Sequence, residues 1–576
     1  MVSVAAPILL KGKGNLFSSE GGSAFEGDEA TLMANPLSSV WAEAPFLRIP
    51  PFPGAKLQQF QATSSRATDD VALLDRIRSL RVGGSYWARQ PELGSNYVLV
   101  RSAGAVEAAA EMFAGRRLVL WSPAETSPER NSELCVIRGD CDPWHMITSA
   151  ESVVVDEHDE LRPIAALLGV PTYIHDPTAD QLRRDASNAN SFLADALPAT
   201  FSNPLTGEPM TARQAVELCG FWRELIDSNR DIAGGLGFAF WKQDQVAPLL
   251  WDGSDRFRFL RGVPDIPKGA SVAVWQSKAP PQALAELERA QTPLVDVEDG
   301  FLRSRGLGAD CIPPLSITVD RLGPHFDPSR PSELENLLQK GEFDEELIDR
   351  ARDLRHQIVE AGLGKYEQGG TVLDRPAGAR RHILVPGQVE DDRAVVAGGC
   401  GLTSNLELLR RVRERAPDAF ILYKPHPDVL AGHRRGAISD RECLQYADRI
   451  VGELPIGSLI SMVDEVHVNT SLAGFEALLR GKSVTTHGVP FYAGWGVTND
   501  LGPVPSRRSA VRTIDELVAA SLLVYPRYLD PVTGLPCPAE IVVARLRSDE
   551  DNDPGLLVGV RRLQGKLMRC LRSLVQ

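Results

Sequence analysis

Short apolar runs alternate with helical patterns along most of the chain after about residue 70. Runs that predict strands lie at residues 97–101, 118–121, 152–155, 171–174, 270–275, 293–297, 383–385 and 419–423. Between them, residues 106–113 and 161–168 carry apolar side chains at helical spacing. Because short buried strands that alternate with helices are typical of βαβ units, the pattern predicts an α/β fold with parallel sheets.

The breaks in this pattern divide the 576-residue chain, which is too long for one hydrophobic core, into several predicted segments. They are a flexible N-terminal segment (1–60), a degenerate Rossmann-like domain without catalytic motifs (61–200), a helical linker (201–255), an N-terminal Rossmann-like domain (256–378), a C-terminal Rossmann-like domain (379–545) and a basic amphipathic tail (546–576). The predicted fold class is therefore α/β, with two Rossmann-like domains preceded by a degenerate third.

An internal repeat supports this division. Residues 203–210 resemble residues 530–537, and residues 152–172 match residues 464–484 in their strand–helix–Gly–strand pattern. The first copy continues from Trp121 into Ser-Pro-Ala-Glu, where the second copy has Lys424-Pro-His-Pro. We interpret the first copy as structural, because it lacks the Lys and His that the second copy carries.

Composition excludes some classes of function. A net charge of −14 disfavours non-specific binding to nucleic acid, and eight scattered Cys without a CxxC pair fit a reducing compartment. With no run of about twenty apolar residues, a cytoplasmic protein is expected. Within the tail, residues 561–576 carry five basic residues and a leucine stripe, which allow two interpretations. One is a peripheral helix on an anionic membrane; the other, slightly favoured, is a helix packed on the protein.

Two acidic pairs follow predicted strands, where parallel α/β sheets place their ligands. Glu298 and Asp299 precede a glycine. Arg303 and Arg305 follow within a few residues and are suited to bind the carboxylate of a substrate. The alternative is a turn with solvated acids. Asp391 and Asp392 follow another strand. Carboxylates of this kind allow a nucleophile and an acid/base in a retaining glycosyl transfer, although a helix N-cap is the simpler explanation of either aspartate alone.

The next strand ends carry groups suited to phosphate. Lys424 supplies a point charge, and His426 a donor or an acid. Thr470 and Ser471 open a helix whose free N–H groups favour anions, and Glu476 lies where it reaches ribose hydroxyls; a plain Ser/Thr cap is equally compatible. No His and Cys cluster shows metal-ligand spacing, so a metal site is not expected.

With these motifs the sequence resembles the bacterial capsular-polysaccharide family of retaining β-Kdo transferases, and most closely the second catalytic module of its two-module members. The similar segments are 297–304, 313–316, 327–334, 385–392, 423–428, 470–476, 491–496 and 525–528. The resemblance implies two Rossmann-like domains facing a cleft, the GT-B arrangement. It also implies CMP-β-Kdo as donor and a growing lipid-linked Kdo chain as acceptor.

The resemblance also implies roles for single residues. Asp392 is implied as the nucleophile, with Asp391 left open, and Glu298 with Asp299 as the acid/base group. His426 is implied to act on the CMP phosphate. Implied ligands of the CMP-sugar are Lys424, Thr470, Ser471, Glu476, Gly387 and Gln388, and Arg303 or Arg305 would hold the Kdo carboxylate. No metal or other cofactor is expected.

Partners and competing functions follow from the same resemblance. A second Kdo transferase and the capsule export machinery are the implied protein partners. The nearest rival is a transferase for another CMP-nonulosonic acid such as a sialic acid, which also presents a carboxylate and a CMP. The rival from another class is a non-catalytic capsule assembly or export factor with the same fold.

Overall fold

The computed structural model describes residues 45–57, 59–63, 71–122, 134–187, 197–254, 256–263, 266–302, 313–363, 375, 380–430, 432, 434–452 and 454–548. Arg303, Arg305, nearly all of the predicted basic tail and residues 1–44 lie outside these ranges. The chain separates into two compact units: residues 1–230 with 251–256, and residues 231–250 with 257–576. Each unit is described by itself.

The first unit is built on a mostly parallel sheet. Its strands are β1 (Gln61–Ala62), β2 (Tyr97–Val100), β3 (Arg117–Ser122), β4 (Leu134–Arg138), β5 (Ala150–Val155), β6 (Thr172–Asp176), β7 (Gln181–Arg184), β8 (Thr200–Ser202) and β9 (Pro209–Thr211). The main sheet has the order β4-β3-β2-β5-β6-β7, and only β7 runs antiparallel to its neighbour. A small antiparallel sheet joins β1, β8 and β9.

Helices cover this sheet, and the segment before them is buried. The helices are α1 (Val71–Leu80), α2 (Val106–Met112), α3 (Pro143–Thr148), α4 (Leu161–Leu168) and α5 (Ala212–Asp227). Phe46 and Leu47 belong to the same core as strand residues Leu99 and Val153. The prediction of a flexible segment up to residue 60 is therefore wrong for its described end, because these apolar side chains bury in the core.

The second unit contains two sheets. Its strands are β10 (Ile232–Leu236), β11 (Phe259–Leu260), β12 (Ser271–Val274), β13 (Leu294–Asp299), β14 (Ser316–Asp320), β15 (His382–Pro386), β16 (Phe420–Lys424), β17 (Arg449–Ile450), β18 (Glu465–Val468), β19 (Ser483–Thr486), β20 (Asn499–Asp500), β21 (Pro526–Leu529) and β22 (Pro536–Cys537). One sheet has the order β11-β10-β12-β13-β14-β21-β22, parallel as far as β13 and antiparallel beyond it. The other, β17-β16-β15-β18-β19-β20, is parallel throughout.

Helices of the second unit connect these strands. They are α6 (Phe240–Leu250), α7 (Pro281–Arg289), α8 (Glu333–Lys340), α9 (Glu345–Glu360), α10 (Arg393–Gly398), α11 (Asn405–Arg415), α12 (Pro427–Leu430), α13 (Asp440–Cys443), α14 (Ile456–Met462), α15 (Leu472–Leu479), α16 (Ile514–Val518) and α17 (Ala539–Arg547), with a π-helical turn at Ala519–Val524. The predicted α/β class with Rossmann-like domains is confirmed.

The predicted helical linker over 201–255 is wrong at its centre. Residues Ile232–Leu236 form β10, a strand that pairs with β11 and β12 in parallel. Two glycines in this strand hid it from the sequence pattern, since glycine is depleted in strands. Similarly, the end of the predicted C-terminal domain returns to the other sheet, where β21 pairs with β14.

Candidate active site

The parallel sheet β15–β20 offers a binding crevice where its strand order reverses. From β15 the chain adds β16 and β17 on one side and then β18, β19 and β20 on the other. The loops after β15 and β18 therefore diverge at a switch point, where open α/β sheets bind their ligands. Two hydrogen bonds join these loops: the Gln388 amide donates to Thr470 Oγ1 at 3.1 Å and accepts from Thr470 N at 3.0 Å.

The loop after β15 is held rigidly. Gly387 N donates to Lys424 O at 2.8 Å, and a Cβ on this glycine would lie 2.6 Å from the Tyr423 hydroxyl, so only glycine fits. The backbone of Gln388 is bonded twice to the Asn405 side chain, with N–H and C=O both at 2.8 Å. The predicted ligands Gly387 and Gln388 thus lie at the switch point, in a loop that is organised before any ligand binds.

Thr470 and Ser471 lie at the start of α15. The Ser471 side chain accepts from Ala473 N at 3.2 Å as the N-cap, and Tyr492 donates to Ser471 O at 2.5 Å. Both hydroxyl residues remain half-buried. Glu476 is buried on the packed face of α15, next to Arg480, whose guanidinium lies within electrostatic range. That Glu476 binds ribose hydroxyls stays a prediction, and the residue is buried on the packed face of α15.

Lys424 and His426 follow β16 at the same edge. Lys424 is buried, and its ammonium donates to Gly452 O at 3.2 Å and to Leu454 O at 2.5 Å. His426 Nδ1 accepts from Asp428 N at 3.2 Å, so its neutral ring carries the proton on Nε2. An Nε2–H group on a half-buried ring is a donor suited to a phosphate oxygen.

Asp391 and Asp392 are half-exposed at the start of α10. Asp392 is the N-cap and accepts from Ala394 N at 3.3 Å, while Asp391 accepts from Arg434 Nη2 at 3.2 Å. The same Arg434 nitrogen is 3.9 Å from Asp392, and the exposed fractions of the two side chains are 50% and 51%. Asp392 is thus the helix N-cap that the simpler interpretation predicted. The cap uses only one of its two carboxylate oxygens. The choice between the two aspartates stays a prediction.

Glu298 and Asp299 end β13 and are held by different cations. Asp299 pairs with Lys242 at 2.8 Å, and that ammonium also lies 3.5 Å from the centre of the Trp275 ring. Glu298 accepts from Arg393 Nη1 at 2.9 Å. Gly300, which follows them, packs against Ser316 so closely that a Cβ would collide with it, so the turn requires glycine.

The electrostatics separates the roles of these two acids. The pKa of Glu298 is raised from 4.5 to about 7; burial is the largest cause and Asp299 and Asp296 add to it, while Arg393 and Lys242 oppose the shift. A carboxyl that titrates near neutrality is suited to exchange protons with a substrate. Of the predicted pair, Glu298 therefore has the environment that suits an acid/base group, while Asp299 pairs with Lys242; the catalytic role itself stays a prediction.

Sequence reasoning missed three residues that organise this region. Arg393 donates through Nη2 to Gln276 Oε1 at 2.7 Å as well as to Glu298, and so links the two sheets of the second unit. Gln276 in turn donates to Asp296. Lys242 lay in the predicted linker. Only the position of Arg393 directly after Asp392 could have drawn attention to it from the sequence.

The aromatic loop at 488–496 packs inside the protein. Phe491 lies 4.4 Å from Phe301 between ring centroids, and Tyr492 and Trp495 are fully buried. The described contacts of this loop are those of packing. Because Phe301 follows the Glu298–Gly300 turn, this packing also positions that turn.

Two features are absent from the part of the chain that the structure describes: a cluster of metal ligands and a membrane-spanning helix. The described residues contain no group of three or more His, Cys, Asp or Glu side chains arranged to hold a metal ion. Within the same ranges, no helix is both long enough and apolar enough to cross a membrane.

Comparison with known proteins places these features in a family. Residues 270–528 match the family model described as "Capsule polysaccharide biosynthesis protein". The capsule polysaccharide modification protein LipA of Neisseria meningitidis serogroup A is 37% identical over 383 residues, which are 65% of this chain and 54% of LipA. The lipopolysaccharide-processing protein LpsZ of Rhizobium meliloti is 37% identical over 62% of this chain and 86% of LpsZ.

A solved structure is also similar to part of this chain. It is titled Thermosulfurimonas dismutans KpsC, beta Kdo 2,4 transferase, with 33% identity, a TM-score of 0.49, and coverage of 55% of this chain and 98% of that chain. The chain spans about half the length of LipA, 54% of it. It matches LpsZ over most of its length, 86%, at an identity well above chance. The chain therefore belongs to the capsule polysaccharide biosynthesis protein family.

Proposed function

We propose that the second unit is a retaining β-Kdo glycosyltransferase that uses CMP-β-Kdo. The observation that carries the proposal is the hydrogen bond from Arg393 to Glu298. The pKa of Glu298 is raised to about 7, and Arg393 directly follows Asp392. Through Arg393, a carboxyl suited to acid/base chemistry is thus joined to the helix that begins directly after the second pair of carboxylates. Paired carboxylates with different environments are the groups that a double displacement at an anomeric carbon needs.

In the first step, a carboxylate oxygen of Asp392 attacks the anomeric carbon of the donor. The bond from that carbon to the phosphate oxygen breaks, and CMP leaves with the bonding electrons. Negative charge grows on the phosphate, so donors aimed at it lower the barrier most. His426 Nε2–H, the hydroxyls of Thr470 and Ser471, and the N-terminus of α15 are the groups proposed to receive it, with Lys424 as a buried charge behind them.

In the second step, Glu298 acts as a base. Its carboxylate takes the proton of an acceptor hydroxyl, the hydroxyl oxygen attacks the anomeric carbon, and Asp392 leaves as a carboxylate. Two inversions retain the configuration. A pKa of about 7 leaves Glu298 partly ionised at neutral pH and makes its carboxylate a stronger base than one with an ordinary pKa, which accepts a proton poorly.

The identity of the sugar rests on relatives rather than on geometry. The chain that is 33% identical to this one over 98% of its own length is titled a beta Kdo 2,4 transferase, and that title supports Kdo here. LipA is named for capsule modification, which supports a lipid-linked Kdo oligosaccharide of the capsule as acceptor. Partners proposed on the same basis are a second Kdo transferase, the capsule export machinery and the inner membrane face.

A transferase for another CMP-nonulosonic acid is the second candidate. It fits the same groups, since such sugars carry both a carboxylate and a CMP. A non-catalytic assembly or export factor is disfavoured by the raised pKa of Glu298, because a scaffold gains nothing from a buried carboxylate that is costly to ionise.

Intact-protein mass spectrometry tests the proposal. The full chain is incubated with CMP-Kdo generated in situ, and Asp392→Asn is compared with the matched variant Asp391→Asn. We expect an increase by one Kdo residue in wild type and in D391N, and none in D392N. An adduct on D392N but not on D391N would transfer the nucleophile role to Asp391. If wild type shows neither an adduct nor CMP release with a Kdo-lipid acceptor present, CMP-Kdo is not the donor.

A further inference from the structure

Arg393 connects the acid/base group to the opposite sheet of the second unit. Its side chain begins one residue after Asp392, at the first position of α10, and ends on Glu298 Oε1 at 2.9 Å. Its other terminal nitrogen donates to Gln276 Oε1 at 2.7 Å, and its guanidinium carbon lies 5.1 Å from the centre of the Phe326 ring. These contacts use two of the five N–H groups of a guanidinium.

The guanidinium is accessible to a ligand although its protein partner is buried. The side chain of Arg393 is 37% exposed, whereas that of Glu298 is 18% exposed. Phe326 and Gln276 hold the planar group in place without adding charge. A planar, partly exposed guanidinium of this kind binds a carboxylate through two parallel hydrogen bonds.

We propose that Arg393 recognises the carboxylate of the sugar donor and, when it does so, gives up Glu298. This inference rests on the proposed function, which requires an acidic sugar beside Asp392. Arg393 would then serve as a specificity-determining residue and would report donor binding to the acid/base group. A neutral sugar cannot take Glu298's place, so the same exchange rejects donors without a carboxylate.

The exchange has a chemical consequence for Glu298. With Arg393 beside it, the ionised carboxylate is stabilised; without that cation, burial and the neighbouring Asp299 and Asp296 raise the pKa of Glu298 above its present value of about 7. Binding of a carboxylate sugar near neutral pH must therefore draw a proton onto Glu298. Proton uptake on binding is a readout that a merely structural arginine would not produce.

Titration calorimetry of the full chain measures this uptake. Kdo is titrated in the presence of saturating CMP at about pH 7.5, in HEPES and in Tris, whose different ionisation enthalpies give the number of protons exchanged. For wild type we expect uptake of roughly half a proton per bound sugar, the amount that follows if losing one neighbouring charge raises the Glu298 pKa by about one unit. The neutral methyl ester of Kdo is expected to bind at least tenfold more weakly and without proton uptake.

Variants test whether Arg393 is responsible. Arg393→Gln is expected to lose at least tenfold in Kdo affinity and most of the proton uptake, and Arg393→Lys to recover part of the affinity. Glu298→Gln removes the carboxylate that competes for Arg393, so this variant should bind Kdo at least as tightly as wild type and lose the proton uptake. Arg411→Gln is the matched control, because Arg411 is also partly exposed and pairs with Glu407 at 2.8 Å on α11; it should behave as wild type.

The outcomes separate this inference from the proposed function. Equal affinity and proton uptake in wild type and R393Q would overturn the role of Arg393, as would a failure of wild type to bind either Kdo or N-acetylneuraminic acid. Proton-linked binding of Kdo together with no Kdo adduct in the mass-spectrometric experiment would leave the role of Arg393 standing and overturn the transferase mechanism. R393K guards against misfolding of R393Q, and circular dichroism of each variant verifies the fold.

Discussion

The main sheet of the first unit and the β15–β20 sheet of the second unit have the same strand order, but we propose different functions for them. In the first unit the order is β4-β3-β2-β5-β6-β7; in the second it is β17-β16-β15-β18-β19-β20. In both, the chain starts at the centre, adds two strands on one side and then three on the other. Only the last strand differs, since β7 is antiparallel and β20 parallel.

Matching turns confirm that the two regions are copies of one design. The helices α4 and α15 end at glycines with left-handed backbone, Gly169 at φ 70° and Gly481 at φ 68°. The repeat at 203–210 and 530–537 forms a hairpin in both copies, with Gly207 N donating to Asn203 O at 2.8 Å and Gly534 N to Asp530 O at 2.9 Å. The predicted internal repeat is thus visible down to single hydrogen bonds.

The two regions differ where each sheet has its switch point. In the second unit an uncharged pair, Gln388 and Thr470, spans it. In the first unit Arg101 follows the central strand, pairs with Asp159 at 3.2 Å and lies 4.2 Å from the centre of the Trp121 ring. A protein cation thus lies where an anionic ligand would otherwise meet helix N–H groups. The strand order alone confers no activity; the loop side chains decide it.

The largest expected effect comes from Glu298→Gln, which removes the carboxylate that Arg393 of the second copy binds. Transfer to the acceptor should fall roughly a thousandfold, while the Kdo adduct still forms and accumulates. The wild-type transfer rate should rise with pH through about 7, where Glu298 ionises, and this rise should vanish in E298Q. Stopped-flow acceptor transfer at pH 5–9 measures both.

The matched control for that change is Glu157→Gln, an exposed acid just beyond β5 in the first copy. Its transfer rate should stay within about twofold of wild type, as expected for a surface substitution. A loss comparable to that of E298Q would mean that the first copy also takes part in chemistry, and the contrast between the copies would fail.

Arg101→Ala has the next largest expected effect, on stability. It leaves the buried Asp159 without its cation, which should cost about 3 kcal/mol at neutral pH. Burial already raises the pKa of Asp159, and Arg101 opposes that shift. Without Arg101 the folded-state pKa rises further, so the loss is absent well below the unfolded pKa of about 4 and grows as pH rises through the folded-state value.

Urea unfolding of R101A and wild type at pH 4 and pH 8 checks this sign. Folded R101A is also expected to release CMP at the wild-type rate, as the interpretation of the first copy as structural predicts. A larger stability loss at pH 4 than at pH 8 would show that Asp159 is not the group left uncompensated.

Gln388→Ala tests the switch point of the active copy. The substitution removes both hydrogen bonds that hold Thr470, so kcat/KM for the donor should fall about thirtyfold, corresponding to about 2 kcal/mol. Gln339→Ala is the control, since the Gln339 side-chain amide also makes two hydrogen bonds to one residue, joining α8 to Ser509. Steady-state CMP release measures both variants. Equal losses would show that the bridge matters for stability rather than for the donor.

The smallest effect concerns the repeated hairpin. Gly207→Ala and Gly534→Ala each place a side chain at a left-handed position, φ 77° and φ 73°, which should cost about 1 kcal/mol each. Thermal unfolding of the single variants is expected to give similar losses. A difference of more than about 1 kcal/mol would mean that the two turns, despite matching hydrogen bonds, contribute differently to the free energy of unfolding.

Much of the fold was predictable because it is written locally. The strands at 97–101, 118–121, 152–155, 383–385 and 419–423 appear within a residue or two of the predicted places, since apolar runs bounded by turns are strong signals. β10 was missed, because its glycines lower strand propensity and only pairing with β11 and β12 stabilises it.

The candidate site was predictable only in part. Gly387, Gln388, Thr470 and His426 lie at one edge of one sheet, as the strand-end argument requires. The roles of Glu298 and Asp299 were not separable from sequence, because the distinction depends on burial and on Lys242, 57 residues away. Arg303 and Arg305, predicted to hold the sugar carboxylate, lie outside the described residues; that prediction and the role proposed for Arg393 are alternatives.

The sequence by itself determined the α/β class, the internal repeat, the glycine turns and the acidic, basic and hydroxyl residues at strand ends. These follow from hydrophobic period, turn chemistry and motif, each of which spans a few neighbouring residues. The tertiary structure alone decided which strand ends meet, that Arg393 reaches Glu298 across 95 residues of chain, and that Arg101 fills the other switch point. Strand order and burial bring these groups together, and the environment so created raises the pKa of Glu298, on which its proposed acid/base role depends.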